Sequence, residues 1–562
     1  MLFRSHAGIC YQTVAIDDLP ALLPSLRLLL TVGDTEPMDE LKALLADWVA
    51  NGGSWLGVAG VCGLAELFGV EPEQPAPRWR TGGVAVLGEG YLKPIAAHKT
   101  LEHLVIPLHF FNGVAVRQAG GTVLATALDA HQRSGERVAL VEHSVGKGRT
   151  MLICPDVTGS VVSIQQGVAV TRDGISAPDG SASVCDGVLK TDDGGVLDWT
   201  FDRQPVPGAG FDAFLQPIAD QWRELLIRAI LYLASESGVA LPVLWLYPRN
   251  LPALAHVSHD SDGNDSDCAQ ALLEALRRAE IESTWCVMAP GYESKVIDEI
   301  RDDGHELALH FDAYSEGTEW SEEEVDRQWK QISQLLGERP VTNKNHFLRW
   351  EGDTEFFDWL ADRGIQLDAS KGASKTGEAG FNFGFCHPYF PVDPNGRVLD
   401  VLEIPTLSQD LGPFAPYEVI IPVLEAVLKV HGVLHLIFHP AHITKPGVEQ
   451  NLLELAESAK ALGMEWWTGT RLNSWERARR KIEWRHWLST DESVSVIMVS
   501  GDPLEDASIM WLSDSNAKVL VDGRQMPSGE VERWGFIFQS VTLRLAPQRQ
   551  YRIEIRTNDQ EK

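Results

Sequence analysis

The chain has 562 residues, which is too long for one hydrophobic core, so we expect two to four domains. Its 79 acidic and 48 basic residues give a net charge of −31, which argues against nucleic acid and membrane as partners. No apolar run approaches the ~18 residues that cross a bilayer. The seven cysteines form no CxxC pair, so neither a disulfide framework nor a thiolate zinc site is expected. No secretory signal is visible, and the expected location is the cytoplasm.

Residues 1–240 are predicted to form an α/β domain. Gly, Asp, Ser and Thr dominate residues 157–210, which predicts an extended or β-rich excursion within that domain. The other predicted elements are a buried parallel strand at 26–32, a helix at 38–50, a strand at 54–59, a hairpin spanning 138–155 and a helix at 221–234.

The order of these elements resembles that of class I glutamine-amidotransferase-like domains, especially the non-catalytic versions attached to glycoside-processing enzymes. The resemblance rests on residues 48–60 (WVANGGSWLGVAG) and 143–153 (HSVGKGRTMLI), and it implies a flavodoxin-like α/β fold. Cys62 lies near the place of the amidotransferase nucleophile. However, Leu64 stands where a second glycine is usual, and no His-x-Glu pair follows. We therefore expect a buried, unreactive thiol and a non-catalytic domain.

Strand and helix patterns alternate about seven times in residues 241–485, which predicts an irregular, closed or nearly closed (β/α) barrel. From residue 486 to 562 the apolar residues change to a period of two, and turn residues separate the runs. This pattern predicts a small β-sandwich for packing or carbohydrate contact. The fold class predicted is thus α/β multidomain.

Residues capable of chemistry recur where the strands of the predicted barrel end. An isolated Asp-Ser-Asp-Gly is usually a solvated turn, and a single strand-end His usually serves only as a hydrogen-bonding group. Several such clusters on one rim can instead share a metal ion. The candidates are Asp260 and Asp262, then His310, His346 with Arg349, Asp368, and finally His439 with His442.

These residues resemble the motifs of polysaccharide deacetylases with a NodB-like homology domain, metal-dependent carbohydrate esterases on an irregular barrel. In that resemblance, Asp260 is the general base, Asp262 a metal ligand, and His439 the general acid. His310 ends a Gly-His-Glu…His segment and is the first metal histidine. Arg349 and Asp368 resemble the family's remaining catalytic positions, an arginine of the substrate groove and an acid that orients the machinery.

One position departs from the family pattern. A second metal histidine usually follows the first by four residues, and here that residue is Tyr314. His346 is the predicted substitute, which makes the expected ligand set Asp262, His310 and His346. The resemblance implies a divalent metal, Zn²⁺ being expected, unless the departure leaves the site with weak binding or none.

The leading hypothesis is a hydrolase that removes acetyl groups from an amino sugar or polysaccharide through metal-activated water. Two alternatives remain open: a metal-free amide hydrolase on the same barrel, and a catalytically silent carbohydrate-binding or scaffold protein. The expected partner is a carbohydrate or small acylated substrate, and the sequence does not indicate an oligomeric state. Trp320, Trp350 and Tyr389 are predicted either to stack on sugar rings or to pack at the rim.

Overall fold

The computed structural model describes residues 7–73, 86–183, 187–489, 493–512 and 518–556. The helices are α1 (Leu19–Leu22), α2 (Asp39–Ala50), α3 (Val157–Gln166), α4 (Ile218–Glu236), α5 (Ser266–Ala279), α6 (Ser294–Asp302), α7 (Glu322–Leu336), α8 (Glu355–Asp362), α9 (Ile420–Val430), α10 (Val448–Ala461) and α11 (Gly469–Arg480).

The strands are β1 (Leu28–Val32), β2 (Ser54–Val58), β3 (Val70–Pro72), β4 (Gly90–Pro94), β5 (Leu108–Phe110), β6 (Val116–Gln118), β7 (Thr122–Asp129), β8 (Ser134–Val145), β9 (Gly148–Ile153), β10 (Gln204–Pro205), β11 (Asp212–Ala213), β12 (Pro242–Leu244), β13 (Leu254–Asp260), β14 (Thr284–Met288), β15 (Glu306–Phe311), β16 (Thr342–Asn345), β17 (Leu367–Asp368), β18 (Leu402–Glu403), β19 (Ser408–Gln409), β20 (Val433–Ile437), β21 (Glu465–Trp466), β22 (Glu483–Ser489), β23 (Ser493–Val499), β24 (Leu504–Leu512), β25 (Lys518–Val521), β26 (Arg524–Gln525), β27 (Gly529–Arg533), β28 (Phe536–Leu545) and β29 (Gln550–Arg556).

The chain is mixed α/β and forms two compact units. The first comprises Met1–Val161, Gln221–Asn250 and Ala478–Lys562, and the second comprises Val162–Asp220 and Leu251–Arg477. The first unit therefore draws on all three predicted segments, and the division at residues 240 and 485 stays a prediction. Among the described residues, no helix is long and apolar enough to cross a membrane.

The first unit contains a seven-stranded sheet in the order β1-β2-β9-β8-β7-β4-β5. The first three strands of this order are parallel and the remaining pairs are antiparallel. In α2, Leu41, Leu45 and Val49 are buried at four-residue spacing, as the apolar pattern predicts. The prediction that residues 26–32 form a buried strand is wrong, because β1 lies at the sheet edge and leaves its apolar side chains partly exposed.

Cys62 lies in a sharp turn after β2, with a positive φ of 50°. The backbone N–H groups of Val61 and Cys62 both donate to Oδ1 of Asp34, at 3.0 and 2.8 Å. The thiol is buried, and burial raises its pKa. It is therefore protonated at neutral pH and a poor nucleophile, which agrees with the unreactive thiol expected from the sequence.

The described part of the first unit also contains three antiparallel sheets, in the orders β3-β6, β12-β24-β28-β27 and β22-β23-β29-β25-β26. The alternation of residues 486–562 does produce strands, β23 to β29. The sandwich arrangement stays a prediction. For residues 157–210 the β-rich alternative is wrong, because they begin with the helix α3 and their only strand among the described residues is the two-residue β10. Val162–Asp220 also belong to the second unit, not to the first.

The second unit is built on a parallel sheet in the order β18-β17-β16-β15-β14-β13-β20-β19, with β21 also paired to β13. The two ends of this order, β18 and β19, are separated in the chain only by residues 404–407. Lys344 Nζ of β16 lies 3.5 Å from Ser258 Oγ of β13. In a flat sheet, strands three positions apart are separated by about 14 Å. The sheet is therefore strongly curled, and Lys344 and Ser258 point into its interior.

Candidate metal centre

Four of the predicted site residues lie at one rim of the sheet in the second unit, in parallel strands or just after them. Asp260 is the last residue of β13, His310 lies in β15, His346 follows β16 directly, and His439 follows β20. The carboxyl ends of parallel strands share one edge, which explains why residues so distant in sequence meet. Asp262 enters from the turn after β13, where it adopts a left-handed conformation with φ of 40°.

Asp262, His310 and His346 bring three potential ligand atoms together. Asp262 Oδ1 lies 3.4 Å from His310 Nε2 and 3.8 Å from His346 Nε2, and all three atoms lie within 4.8 Å of one another. Asp262 Oδ1 and His310 Nε2 are buried atoms without a hydrogen-bond partner in the described parts of the chain. Buried polar atoms are rarely left unpaired, so this pair marks a place for a ligand or ion.

Hydrogen bonds fix the orientation of both histidine rings. His310 donates from Nδ1 to the Lys344 carbonyl oxygen at 3.0 Å, and His346 donates from Nδ1 to Asp312 Oδ1 at 2.9 Å. In a neutral imidazole, a proton on Nδ1 leaves the lone pair on Nε2, which is the atom facing Asp262. A carboxylate or carbonyl behind a metal-binding histidine is the usual second partner of such ligands.

The three groups fit a small divalent cation. Ligands at about 2.0–2.1 Å in a tetrahedron are separated by about 3.3 Å, so the observed 3.4 and 3.8 Å need only a small contraction. Two imidazole nitrogens and one carboxylate suit Zn²⁺ and its transition-metal neighbours, whereas Mg²⁺ and Ca²⁺ prefer oxygen ligands. A site with three protein ligands also leaves a coordination position open.

Asp260 and His439 flank this cluster without joining it. Asp260 Oδ2 lies 3.9 Å from His310 Nε2 and 4.0 Å from His439 Nε2, while Asp260 Oδ1 is buried and unpaired among the described residues. His439 Nε2 lies 3.9 Å from Oδ2 of Asp262, the oxygen that does not face the other two histidines. Asp262 thus directs one oxygen to His310 and His346 and the other to His439.

Asp410 holds His439 in place. His439 donates from Nδ1 to Asp410 Oδ2 at 2.5 Å, and His442 donates to the same oxygen at 2.7 Å. Burial lowers the pKa of His439, but Asp410, Asp260 and Asp262 outweigh burial and raise it to about 9. Burial raises the pKa of Asp410, but the two histidines hold it well below its usual range. His439 is thus protonated at neutral pH in this structure, with Nε2–H directed at the cluster.

The structure does not bring the other two predicted catalytic residues into contact with this cluster. Arg349 forms an ion pair with Glu351. Asp368 is fully buried and accepts hydrogen bonds from Asn343 and Ser370, at 2.7 and 2.8 Å. Their catalytic roles stay predictions, but for Asp368 the observed contacts are those of a structural hydrogen-bonding group.

The aromatic residues predicted to stack on sugars are poorly placed for that role. Trp350 is 2% exposed and Tyr389 is 4% exposed, so neither offers a free ring face and the stacking alternative is wrong for both. Trp320 is partly buried and stacks on Phe356, with ring centroids 4.7 Å apart. The rim-packing alternative therefore describes all three residues better.

Sequence reasoning missed Asp312 and Asp410. Asp312 follows His310 by two residues at a strand end, a position that matches the other candidates and could have been found. Asp410 follows the two-residue strand β19, which is too short to show any apolar periodicity. Its role becomes visible only through its contacts with His439 and His442.

Asp312→Asn is expected to weaken zinc binding about 10–100-fold, the usual effect of changing a residue that supports a metal-binding histidine. An amide oxygen still accepts a hydrogen bond from His346, but it lacks the charge that favours a bound cation. A zinc titration against a competing chelator measures the change. Asp298→Asn, on the exposed surface of α6, is the matched control and should bind zinc like the unaltered chain. Equal affinities in both variants would contradict the supporting role of Asp312.

No protein-family model matches the chain, and no curated protein matches it. Similar solved structures include a proposed polysaccharide deacetylase from Mycobacterium smegmatis (18% identity, 42% of this chain and 94% of the other, TM-score 0.34). An allantoinase is 14% identical, over 41% of this chain and 91% of the other, with a TM-score of 0.31. A family 4 acetyl xylan esterase from Clostridium thermocellum, solved with a cobalt ion, is 14% identical over 39% and 90%, with a TM-score of 0.26. At these low identities and TM-scores, the similarities do not establish the activity of this chain.

Proposed function

We propose that the chain is a metal-dependent hydrolase of the carbohydrate deacetylase type, which removes acetyl groups from an amino sugar or polysaccharide. The observation that supports it is the meeting of Asp262, His310 and His346, with Asp262 Oδ1 and His310 Nε2 buried and unpaired among the described residues. The carboxylate of Asp260 and the imidazole of His439 flank this group. This set contains one cation site, one candidate base and one candidate acid, which are the parts that water-driven acyl hydrolysis requires.

Asp262 Oδ1, His310 Nε2 and His346 Nε2 would hold the cation, which is expected to be Zn²⁺. A divalent cation bound there polarises the acyl carbonyl and acidifies a nearby water. Lys344 and Asp312 keep the two imidazoles oriented through their Nδ1 hydrogen bonds. The positions of these ligands are thus fixed before any substrate arrives, which lowers the cost of assembling the site.

Asp260 is the proposed general base, because its buried Oδ1 has no donor among the described residues and can accept a proton from the attacking water. His439 is the proposed general acid, because Asp410 fixes its ring with Nε2 toward the cluster. As the tetrahedral intermediate collapses, Nε2 gives its proton to the leaving nitrogen or oxygen. Asp260 Oδ2 and His439 Nε2 lie 4.0 Å apart, so the proposed base and acid both reach the edge of the cluster.

Acetate release from a tetramer of β-1,4-linked N-acetylglucosamine tests this function. The zinc-loaded chain should release acetate, lose that activity after dialysis against a chelator, and regain it when Zn²⁺ is restored. Full activity in metal-free protein would instead support the metal-free amide hydrolase. Binding of the tetramer without acetate release, with zinc bound, would support a silent carbohydrate-binding protein.

A further inference from the structure

Two aromatic side chains next to the metal centre are exposed. Phe347 is 47% exposed and Tyr314 is 49% exposed, and their ring centroids lie 4.6 Å apart. Both rings also contact the ring of His346, with centroid distances of 4.5 Å for Phe347 and 5.9 Å for Tyr314. We call Phe347 and Tyr314 the aromatic ledge. Exposed adjoining aromatic rings beside a polar site are typical of a surface that binds a ligand.

The backbone beneath the ledge is strained. Phe347 and Leu348 both have positive φ, at 58° and 53°, in the short turn that follows β16. Left-handed backbone is unfavourable for side chains of this size, and it persists where the surrounding structure holds it. The turn buries Leu348, which is 2% exposed, and directs Phe347 outward. The exposed position of Phe347 is therefore maintained against both the hydrophobic effect and the backbone preference.

The position of Tyr314 is a second reason to regard this surface as a ligand-binding site. Its ring centroid lies 5.9 Å from that of His346 and 4.6 Å from that of Phe347. Tyr314 therefore extends the exposed aromatic surface of Phe347 along the side of the His346 imidazole. Phe347 of the ledge directly follows His346 in the chain and their ring centroids lie 4.5 Å apart, so the ledge adjoins the metal centre.

We propose that the aromatic ledge is a substrate subsite that binds a pyranose ring next to the sugar whose acetyl group is hydrolysed. The apolar C–H face of a pyranose packs on an aromatic ring, and the equatorial hydroxyls remain in water. A pyranose ring held on Phe347 would lie beside His346, whose ring centroid is 4.5 Å from that of Phe347. The subsite makes the preferred substrate an oligosaccharide rather than a single sugar. This assignment rests on the proposed function.

Titration calorimetry with the N-acetylglucosamine tetramer tests the ledge. The protein is the zinc-loaded full-length chain carrying Asp260→Asn, so that the ligand is not consumed. Adding Phe347→Ala should weaken binding about threefold to tenfold, the size of an aromatic contact. Phe347→Tyr should restore it, because a second aromatic ring preserves stacking. Ile421→Ala removes an equally exposed apolar side chain on α9 and should leave the affinity unchanged.

The following results separate a failure of the ledge from a failure of the proposed function. Equal tetramer affinity with and without Phe347→Ala, or no tetramer binding by the Asp260→Asn parent, would overturn the ledge. Failure of the unaltered chain to release acetate, together with Phe347-dependent tetramer binding, would overturn the hydrolase and leave the ledge standing. Zinc content measured in each variant shows whether any weaker binding arises from loss of the metal.

Discussion

Asp260→Asn is expected to lower the turnover of an acetylated oligosaccharide about 10²–10⁴-fold, the usual contribution of a general base. The substitution keeps the shape of a buried side chain and removes the negative charge that lets it accept a proton from water. Zinc content should remain that of the unaltered chain, because the three ligand atoms belong to other residues. Turnover at saturating substrate and zinc analysis of the same preparation measure the two effects together.

Asp262→Asn is the matched comparison, since it makes the same chemical change two residues away. It should lose zinc, because an amide is a much weaker ligand than a carboxylate, and activity should fall with the metal content. Loss of zinc in Asp260→Asn with retention in Asp262→Asn would show that the roles of the two aspartates are reversed. Normal turnover in Asp260→Asn would remove Asp260 from the mechanism.

His346→Ala is expected to weaken zinc binding roughly 10²–10³-fold, one ligand's share of the binding free energy of a typical zinc site. The reason is geometric: His346 Nε2 lies 3.8 Å from Asp262 Oδ1, where it is placed to be the third protein ligand that we propose. Activity at micromolar zinc should disappear and should return in part when zinc is raised. Competition against a chelator of known affinity gives the change in the dissociation constant.

The surface histidine variant His131→Ala controls for removing an imidazole and should bind zinc normally. Tyr314→Phe tests whether the phenolic oxygen at position 314 serves as a ligand, because it removes only that atom. Retention of zinc by His346→Ala with loss by Tyr314→Phe would place the third ligand at position 314. Retention by both variants would mean that the cation is held elsewhere.

The sequence predicts the helices and apolar strands of the second unit well, because their cores follow simple periodicities. Leu272 and Leu276 of α5 are buried one helical turn apart, and every residue of β13 is buried. Asp260, His310 and His439 could be placed at strand ends for the same reason: each follows or completes a recognisable apolar run. Strand-end position, however, does not say which of these side chains point toward one another.

The strand β16 could not be predicted from apolar periodicity. Its sequence is Thr-Asn-Lys-Asn, and all four residues are buried. Polar interactions inside the curled sheet replace apolar packing: Lys344 donates to Thr406 at 2.7 Å, and Asn343 donates to Asp368. A strand stabilised by partners more than twenty residues away carries no local signal. His346 could therefore be proposed as a ligand from the absence of a histidine at position 314, but not from the strand that positions it.

The Asp34 carboxylate in the first unit has a consequence for any attempt to give Cys62 amidotransferase activity. An acyl oxyanion formed at Cys62 would need backbone amides to stabilise it, and Asp34 already occupies those of Val61 and Cys62. Because Asp34 is tethered to the same chain, its effective concentration at these amides far exceeds that of a transient intermediate. Reactivity at Cys62 would therefore have to be engineered first at position 34, and only afterwards by supplying a histidine.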